Sequence, residues 1–187
     1  MNKIFEQLHK QIIPILVIND LSKIDRLCQY MVDNNIFSCE VTYRTNCAND
    51  AIQYISQHYP QILVGAGTIL TKTNVDNAIK NGAKFLVSPG LNEDIVKYCG
   101  NLNIPHIPGV ETASEIEKAM SLGLDFVKFF PSEAIGGTTK LKALASPYYN
   151  IKFMPTGGIT TDNVNNYFAL NCVWCVGGSF VIPKELQ

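Results

Sequence analysis

One lysine, Lys128, stands in an otherwise apolar and aromatic stretch over residues 125–131. The stretch predicts a short β-strand closed by a proline, on which Lys128 shares one face with Phe126 and Phe130. Burying an ammonium group is costly unless it is paired or loses its proton, so we expect the pKa of Lys128 to lie well below about 10.4. A neutral amine is a nucleophile for carbonyl carbon. The competing interpretation is a lysine at a strand end whose ammonium group reaches water.

A second set of polar side chains lies in an apolar run that ends Glu40-Val41-Thr42-Tyr43-Arg44. Glu40, Thr42 and Arg44 alternate along this run, so on a strand they share one face. A polar face on a strand that should be buried needs an explanation. A guanidinium is suited to bidentate binding of a carboxylate. The alternative is a buried Glu40–Arg44 ion pair that only stabilises the fold.

Small residues follow several other runs. The segment Gly65-Ala66-Gly67-Thr68 lets backbone approach a ligand and offers the hydroxyl of Thr68. The segments Ser88-Pro89-Gly90 and Pro108-Gly109 are equally consistent with plain turns. Paired glycines occur in Pro155-Thr156-Gly157-Gly158 and in Gly177-Gly178-Ser179. They would form a phosphate site if they followed the last two strands of a barrel, where backbone N–H groups and a helix opening at residues 159–162 face the anion.

Eight apolar runs, starting 19 to 25 residues apart, must position these groups. Continuous rather than alternating apolar runs indicate strands covered on both faces, as in parallel sheets. The predicted strands are Ile12–Ile18, Phe37–Tyr43, Ile62–Gly65, Phe85–Val87, Ile104–Ile107, Phe126–Phe130, Ile151–Met154 and Cys172–Val176.

Helical stripes of apolar residues lie between the runs. The clearest are Ile24, Leu27, Cys28 and Met31; Ala48, Ala51, Ile52 and Ile55; Val75, Ala78 and Ile79; Ile116, Ala119 and Met120; and Val164, Tyr167 and Phe168. The alternation predicts one α/β domain over residues 1–187, a (β/α)8 TIM barrel, with an open doubly wound sheet as second choice. Few residues follow the eighth run, so we expect the final helix to be short or missing. That would reflect either a truncated chain or another surface covering the flank.

Composition narrows the class of partner. Hydrophobic residues make up 47% of the chain, and 15 basic residues balance 16 acidic ones without a basic block. We therefore expect neither nucleic acid nor a membrane as partner. The first residues do not form a signal peptide and no apolar run approaches membrane-spanning length, which predicts a cytoplasmic protein.

The six cysteines are expected to be free thiols in such a compartment. Cys172 and Cys175 form a C-x-x-C, but on a strand their sulfurs would point to opposite faces, and a second pair of ligands is lacking. The three histidines are scattered. We interpret His106, in the short fifth strand, as a hydrogen-bonded structural residue, and we expect no metal site.

Taken together, the motifs resemble those of the aldolases that cleave 2-dehydro-3-deoxy-6-phosphogluconate (KDPG) and 4-hydroxy-2-oxoglutarate (KHG). The likeness extends from about Ile12 to Pro183. Its motifs are Glu40-Val41-Thr42-Tyr43-Arg44-Thr45, Val64-Gly65-Ala66-Gly67-Thr68, Ser88-Pro89-Gly90, Ile107-Pro108-Gly109, Lys128-Phe129-Phe130-Pro131, Pro155-Thr156-Gly157-Gly158-Ile159 and Gly177-Gly178-Ser179.

The resemblance implies a class I, metal-independent lyase on a TIM barrel, generally a homotrimer, with no cofactor beyond a covalent Schiff base on Lys128. It implies a 2-oxo acid substrate, pyruvate as a product and Glu40 as general acid and base. The implied substrate-binding residues are Arg44, Thr68, Pro89, Phe130 and Thr156. The implied phosphate-binding residues are Gly157, Gly158, Gly178 and Ser179.

Two other functions remain open at this point. A phosphate-binding barrel with different chemistry, such as an epimerase or a thiamin-phosphate-type transferase, would explain the glycine loops but not a lysine between phenylalanines. A non-catalytic sugar-phosphate binding module would explain a pocket but has no use for Glu40 beside Lys128.

Overall fold

The computed structural model describes residues 2–186. Within them, ten parallel strand segments alternate with eight α-helices. The strand segments are β1 (Ile12–Ile13), β2 (Ile15–Leu16), β3 (Ser38–Thr42), β4 (Leu63–Gly67), β5 (Leu86–Val87), β6 (His106–Ile107), β7 (Gly109–Val110), β8 (Phe126–Phe129), β9 (Lys152–Pro155) and β10 (Val176–Gly177). The helices are α1 (Lys3–Gln7), α2 (Ile24–Asp33), α3 (Ala48–His58), α4 (Lys72–Lys80), α5 (Glu93–Asn101), α6 (Ala113–Ser121), α7 (Gly137–Ala145) and α8 (Val164–Phe168).

The ten segments form a closed barrel of eight strands, because β1 with β2, and β6 with β7, each make up one interrupted strand. β2 to β6 pair in sequence, as do β7 to β9, while β10 pairs with β1 and bridges to β9 through Thr156 and Gly177. Pro14 separates β1 from β2 and Pro108 separates β6 from β7, because proline has no N–H to give to a ladder. The carbonyls of these prolines stay bonded, each at 2.8 Å, to the N–H groups of Glu40 and Lys128. The predicted (β/α)8 barrel is therefore confirmed.

The barrel interior is apolar towards the N-terminal ends of the strands. Phe85, Phe126 and Met154 pack there with Cys175. Helix α1, which the sequence did not predict, adds Phe5 to the same cluster. The Phe5 ring meets that of Phe126 edge-on at 4.9 Å. With this end filled, the polar side chains of the interior lie nearer the C-terminal ends of the strands.

The predicted helix faces are largely buried against the sheet. In α2, Ile24, Leu27, Cys28 and Met31 are all buried. Helix α6 begins with a capping box, in which Thr112 and Glu115 each bond the other's backbone. Two residues placed on inner faces, Ile79 and Met120, are instead 36% and 43% exposed. Within residues 2–186, no helix has the length and apolar character needed to cross a membrane.

The last predicted strand, Cys172–Val176, is borne out in part. Val173 bridges in parallel to Phe153 of β9, and the regular strand β10 begins at Val176, where the chain also pairs with β1. Cys172 packs with the outer apolar cluster, whereas Cys175 points into the barrel. Both thiols are free. After β10 the described chain forms a 3-10 helix, Lys184–Leu186.

Candidate active site

Lys128 lies inside the barrel on β8. Only 3% of the residue is exposed, and its Nζ lies 4.9 Å from the centre of the Phe130 ring and 3.9 Å from Oε1 of Glu40. Burial lowers the pKa of Lys128; Glu40 opposes this shift and Arg44 adds to it. The predicted shared face with Phe126 and Phe130 and the predicted direction of the pKa shift are both present. The alternative of a lysine reaching water is wrong.

Glu40 lies on β3 and is 1% exposed. Its Oε1 faces Lys128, whereas Oε2 is buried without a hydrogen-bond partner among the described residues. The carboxylate fits because β4, the neighbouring strand, carries Gly67: a Cβ there would lie 1.9 Å from Oε1 and 2.5 Å from Cδ of Glu40. The site thus holds a carboxylate with one oxygen free to accept a proton or a hydrogen bond.

Arg44 lies on the rim of the barrel and is exposed. It stands two residues beyond the end of β3, and its Nε donates to Oγ1 of Thr68 at 3.2 Å. Within residues 2–186 no ion pair joins Arg44 to Glu40, so the alternative of a purely structural ion pair is wrong. Thr68 has φ of 58°, a left-handed conformation that is rare for a β-branched residue and often marks a functional position.

Seven of the predicted site residues line one cavity of about 220 Å³ at the C-terminal end of the barrel. They are Arg44, Phe130, Thr156, Gly157, Gly158, Gly178 and Ser179. The cavity wall also includes Ile15, Val17, Ile159 and Gly177, which the sequence analysis did not select. Phe130 connects this cavity to Lys128, because its ring lies beside the amine. Ile15 and Val17 could have been found from their alternation on the first strand.

Pro89 does not line that cavity. It follows β5, and its carbonyl oxygen is so close to Gly109 that a Cβ on Gly109 would lie 2.0 Å from it.

Ser88, the residue before Pro89, is buried, and its Oγ lies 2.8 Å from the carbonyl oxygen of Ile69 and 2.8 Å from Nε2 of His106. Burial lowers the pKa of His106 to about 4. His106 is therefore hydrogen-bonded at Nε2 as expected, but its buried Nδ1 has no hydrogen-bond partner among the described residues.

The two glycine loops have a backbone geometry that disfavours any larger side chain. Gly157 and Gly158 have φ of 101° and 77°, which other residues rarely adopt. A Cβ on Gly178 would lie 2.6 Å from the Phe180 ring. Helix α8 begins at Val164 instead of opening at residues 159–162, because Asn163 binds the N–H of Thr160 and the carbonyl of Gly158 and so holds these residues in a loop.

Three residues behind the first glycine loop were missed. The N–H of Glu133 donates to the carbonyl of Gly157 at 3.0 Å, and the hydroxyl of Tyr167 donates to the Glu133 carboxylate. Ser132, fully buried, shares a 2.8 Å hydrogen bond with the same hydroxyl. These residues hold the loop in place. No spacing signal links Tyr167 to the other two, because only the fold brings them together.

Comparison with known proteins is consistent with this geometry. The family described as "KDPG and KHG aldolase" matches residues 4–187. The "KHG/KDPG aldolase" of Escherichia coli (strain K12) is 40% identical over 174 residues, which are 93% of this chain and 82% of that protein. The "2-dehydro-3-deoxy-phosphogluconate aldolase" of Treponema pallidum (strain Nichols) is 40% identical over 186 residues, 99% of this chain and 89% of that protein.

Solved structures show the same likeness. A crystal structure of the 2-keto-3-deoxy-6-phosphogluconate aldolase of Zymomonas mobilis ZM4 with 3-phosphoglycerate is 38% identical, with a TM-score of 0.93, and the match covers 98% of this chain and 88% of that one. The KDPG aldolase of Legionella pneumophila, with pyruvate captured at low pH as a covalent carbinolamine intermediate, is 36% identical. Its TM-score is 0.92, and the match covers 97% of this chain and 87% of that one.

Proposed function

This chain belongs to the KDPG and KHG aldolase family, and we propose that it is a class I aldolase that cleaves KDPG to pyruvate and glyceraldehyde 3-phosphate. KHG is the proposed second substrate and would give pyruvate and glyoxylate. One observation carries the proposal: Lys128 is buried, with a lowered pKa, 3.9 Å from a carboxylate oxygen of Glu40. An amine and a carboxylate so placed suit carbonyl chemistry followed by proton transfer.

Lys128 is the proposed nucleophile. Its neutral amine adds to the ketone carbon of the 2-oxo acid and forms a carbinolamine, which loses water to give an iminium ion. The iminium withdraws electrons from the carbon–carbon bond one position further on, and that bond breaks. The aldehyde leaves with the carbon that bears the hydroxyl. The electron pair remains as an enamine, and its protonation and hydrolysis release pyruvate and restore the amine.

Glu40 is the proposed acid and base. As the carbon–carbon bond breaks, the substrate hydroxyl must lose its proton, and Glu40 can accept it on Oε2, which has no hydrogen-bond partner in the described chain. The same carboxyl group can then return a proton to the enamine carbon. The 3.9 Å separation of Oε1 from Nζ keeps the carboxylate near the iminium and favours the cationic intermediate.

The two ends of the substrate are assigned to adjoining regions, since Arg44 also lines the 220 Å³ cavity. Arg44, Thr68 and the loop at Pro89 are the proposed binding groups for the pyruvyl carboxylate, supported by the Arg44–Thr68 hydrogen bond and the lack of a carboxylate partner for Arg44 in the described chain. The phosphate is assigned to the 220 Å³ cavity. Its proposed ligands there are backbone N–H groups of Gly157, Gly158 and Gly178 with the hydroxyl of Ser179, beside Thr156.

We further propose that residues 1–187 act as one domain without a metal ion or cofactor, because the iminium supplies the electron sink that a Lewis acid would otherwise provide. Full activity after dialysis against a strong chelator is the expected result, and loss of activity restored by zinc would contradict it. We also propose that the protein is a homotrimer in the cytoplasm. It acts on small 2-oxo acids and binds neither nucleic acid nor a membrane. Light scattering after gel filtration tests the trimer.

Trapping with pyruvate and borohydride tests the function directly. Reduction should convert the imine into a stable amine adduct, which mass spectrometry should locate on Lys128. Lys128→Met should abolish the adduct, whereas Lys152→Met, which changes a half-buried lysine bonded to the carbonyl of Asn171, should keep it. An adduct elsewhere, or none in folded protein, would remove the aldolase proposal. Neither an isomerising barrel nor a binding module is expected to form one.

A further inference from the structure

Two buried polar residues, Ser88 and His106, have no part in the chemistry proposed above. They are 3% and 5% exposed. Their strand neighbours Val87 and Ile107 belong to the apolar cluster inside the barrel. Because side chains alternate along a strand, His106 of β6 lies on the outer face of the sheet, and Ser88, whose Oγ is 2.8 Å from Nε2 of His106, lies beside it. Neither residue lines the substrate cavity. Buried polar groups in such a place need an explanation beyond packing.

The proton of the Ser88 hydroxyl can be assigned to one of its two neighbours. The Ser88 hydroxyl has one proton and lies 2.8 Å from both the carbonyl oxygen of Ile69 and Nε2 of His106. A carbonyl oxygen can only accept, so we assign the hydroxyl proton to Ile69 and let the Nε2–H of His106 donate to Ser88. The neutral imidazole then has a bare Nδ1, which agrees with the absence of a partner for that atom in the described chain.

Ile69 follows Thr68, the residue in the left-handed conformation. Both polar backbone groups of Ile69 form hydrogen bonds to residues at the end of β5. The N–H of Ile69 donates to the carbonyl of Val87 at 3.1 Å, and its carbonyl accepts from the hydroxyl of Ser88. Thr68 in turn accepts from Arg44. His106, on the outside of the barrel, is therefore linked to the guanidinium at its mouth by hydrogen bonds through Ser88 to Ile69, by the peptide bond from Ile69 to Thr68, and by the hydrogen bond from Arg44 to Thr68.

We propose that Ser88 and His106 are positioning residues for the carboxylate end of the substrate. They hold Thr68 in its left-handed conformation through Ile69, and Thr68 then aims Arg44. The inference rests on the proposed function, in which Arg44 and Thr68 bind the pyruvyl carboxylate. Neither Ser88 nor His106 touches substrate.

The test compares Ser88→Ala, His106→Leu and His106→Gln. The pyruvate concentration that gives half-maximal trapping with borohydride should rise about tenfold in Ser88→Ala and His106→Leu. This rise corresponds to about 1.4 kcal/mol of binding free energy. The rate constant for cleavage at saturating KDPG should change little, because a binding interaction common to ground and transition states is weakened. His106→Gln should restore normal half-saturation, since the glutamine amide can place an N–H near the position of Nε2. Ser56→Ala is the matched control, because Ser56 also donates its hydroxyl to a backbone carbonyl, that of Asn81.

Combining Ser88→Ala with Thr68→Gly tests whether Ser88 acts through Thr68 or only stabilises the fold. Glycine adopts positive φ without strain, so in a Thr68→Gly background Ser88→Ala should cause no further rise in half-saturation. An equal rise in both backgrounds would overturn the inference, and so would variants that lower the melting temperature but bind pyruvate normally. If Ser88→Ala does not fold, the contrast between His106→Leu and His106→Gln decides. Absence of an adduct in the unaltered protein would refute the proposed function, whereas normal trapping in every variant would refute only this inference.

Discussion

Replacing Gly67 by alanine should separate carbon–carbon cleavage from imine formation. Gly67 is the glycine of β4 whose missing side chain leaves room for Glu40. A Cβ at this position would lie 1.9 Å from Oε1, 2.5 Å from Cδ and 2.6 Å from Cγ of Glu40. Three atoms of one buried side chain overlap the new methyl group, so a rotation of the carboxylate alone cannot relieve the contact.

The size of the effect follows from these distances. Non-bonded carbon and oxygen atoms need more than 3 Å, so the Glu40 carboxylate has to retreat by roughly 1 Å. A misplacement of about 1 Å can reduce a rate about 10²-fold, and losing general acid–base catalysis costs about 10²- to 10⁴-fold. We therefore expect the rate constant for KDPG cleavage to fall by about 10²-fold or more. Overpacking should also lower the free energy of unfolding by about 1–3 kcal/mol.

Two assays separate the steps. Pyruvate release from KDPG measures cleavage, and borohydride trapping with pyruvate measures imine formation on Lys128, which should persist in Gly67→Ala. Gly100→Ala is the matched control, because Gly100 lies in α5 and a Cβ there would meet nothing within 4 Å. This control should cleave normally and gain slightly in stability through helix propensity.

Cleavage by Gly67→Ala within about tenfold of the unaltered protein would refute the role assigned to Glu40. Equal loss of trapping and cleavage in folded Gly67→Ala would contradict the predicted separation of the two steps, since the damage would then lie at Lys128.

Three further predictions address the rest of the site. Glu40→Gln should keep pyruvate trapping while cleavage and solvent exchange of the pyruvate methyl protons fall together by about 10²- to 10⁴-fold; cleavage reduced less than about tenfold would exclude Glu40 as the base. Gly178→Leu, which forces its side chain against the Phe180 ring, should raise KM for KDPG far more than for KHG, and equal effects on both would mean that this loop does not bind phosphate. The pKa of His106 is lowered from 6.5 to about 4 by burial, so the unfolded chain takes up a proton first as the pH drops from 6.5 to 4. Stability should then fall by about 3 kcal/mol in thermal or urea unfolding. His106→Gln should lack this part of the acid sensitivity, and an equal loss in both proteins would contradict the assignment to His106.

The parts of the fold that could be predicted from the sequence depend on local pattern. Continuous apolar runs indicated the eight strands, and alternation along β8 gave the face on which Lys128 meets the Phe130 ring. Alternation holds only while the strand continues, however. Arg44 lies beyond the end of β3, and its contact with Thr68 is one that alternation along the strand does not predict.

Other features depend on contacts between distant parts of the chain. Ser132 and Glu133 meet Tyr167 only because α8 folds back over the loop after β8. The regular part of the last strand also depends on distant partners: Val173 bridges to Phe153 of β9, and β10 begins only at Val176, where the chain pairs with β1 as well.

Three features of the candidate site lower the stability of the fold. Lys128 is a buried amine, Oε2 of Glu40 is a buried acceptor without a partner among the described residues, and Thr68 is a β-branched residue at positive φ. Selection for stability alone would remove each of them, since buried polar atoms without partners and strained backbone both raise the free energy of the folded state. Arg44 adds to the lowering of the Lys128 pKa and binds Thr68, which connects all three at one end of the barrel. Their clustering is expected if the substrate supplies what the protein leaves open: a ketone for the amine, a hydroxyl for the free carboxylate oxygen and a carboxylate for the guanidinium.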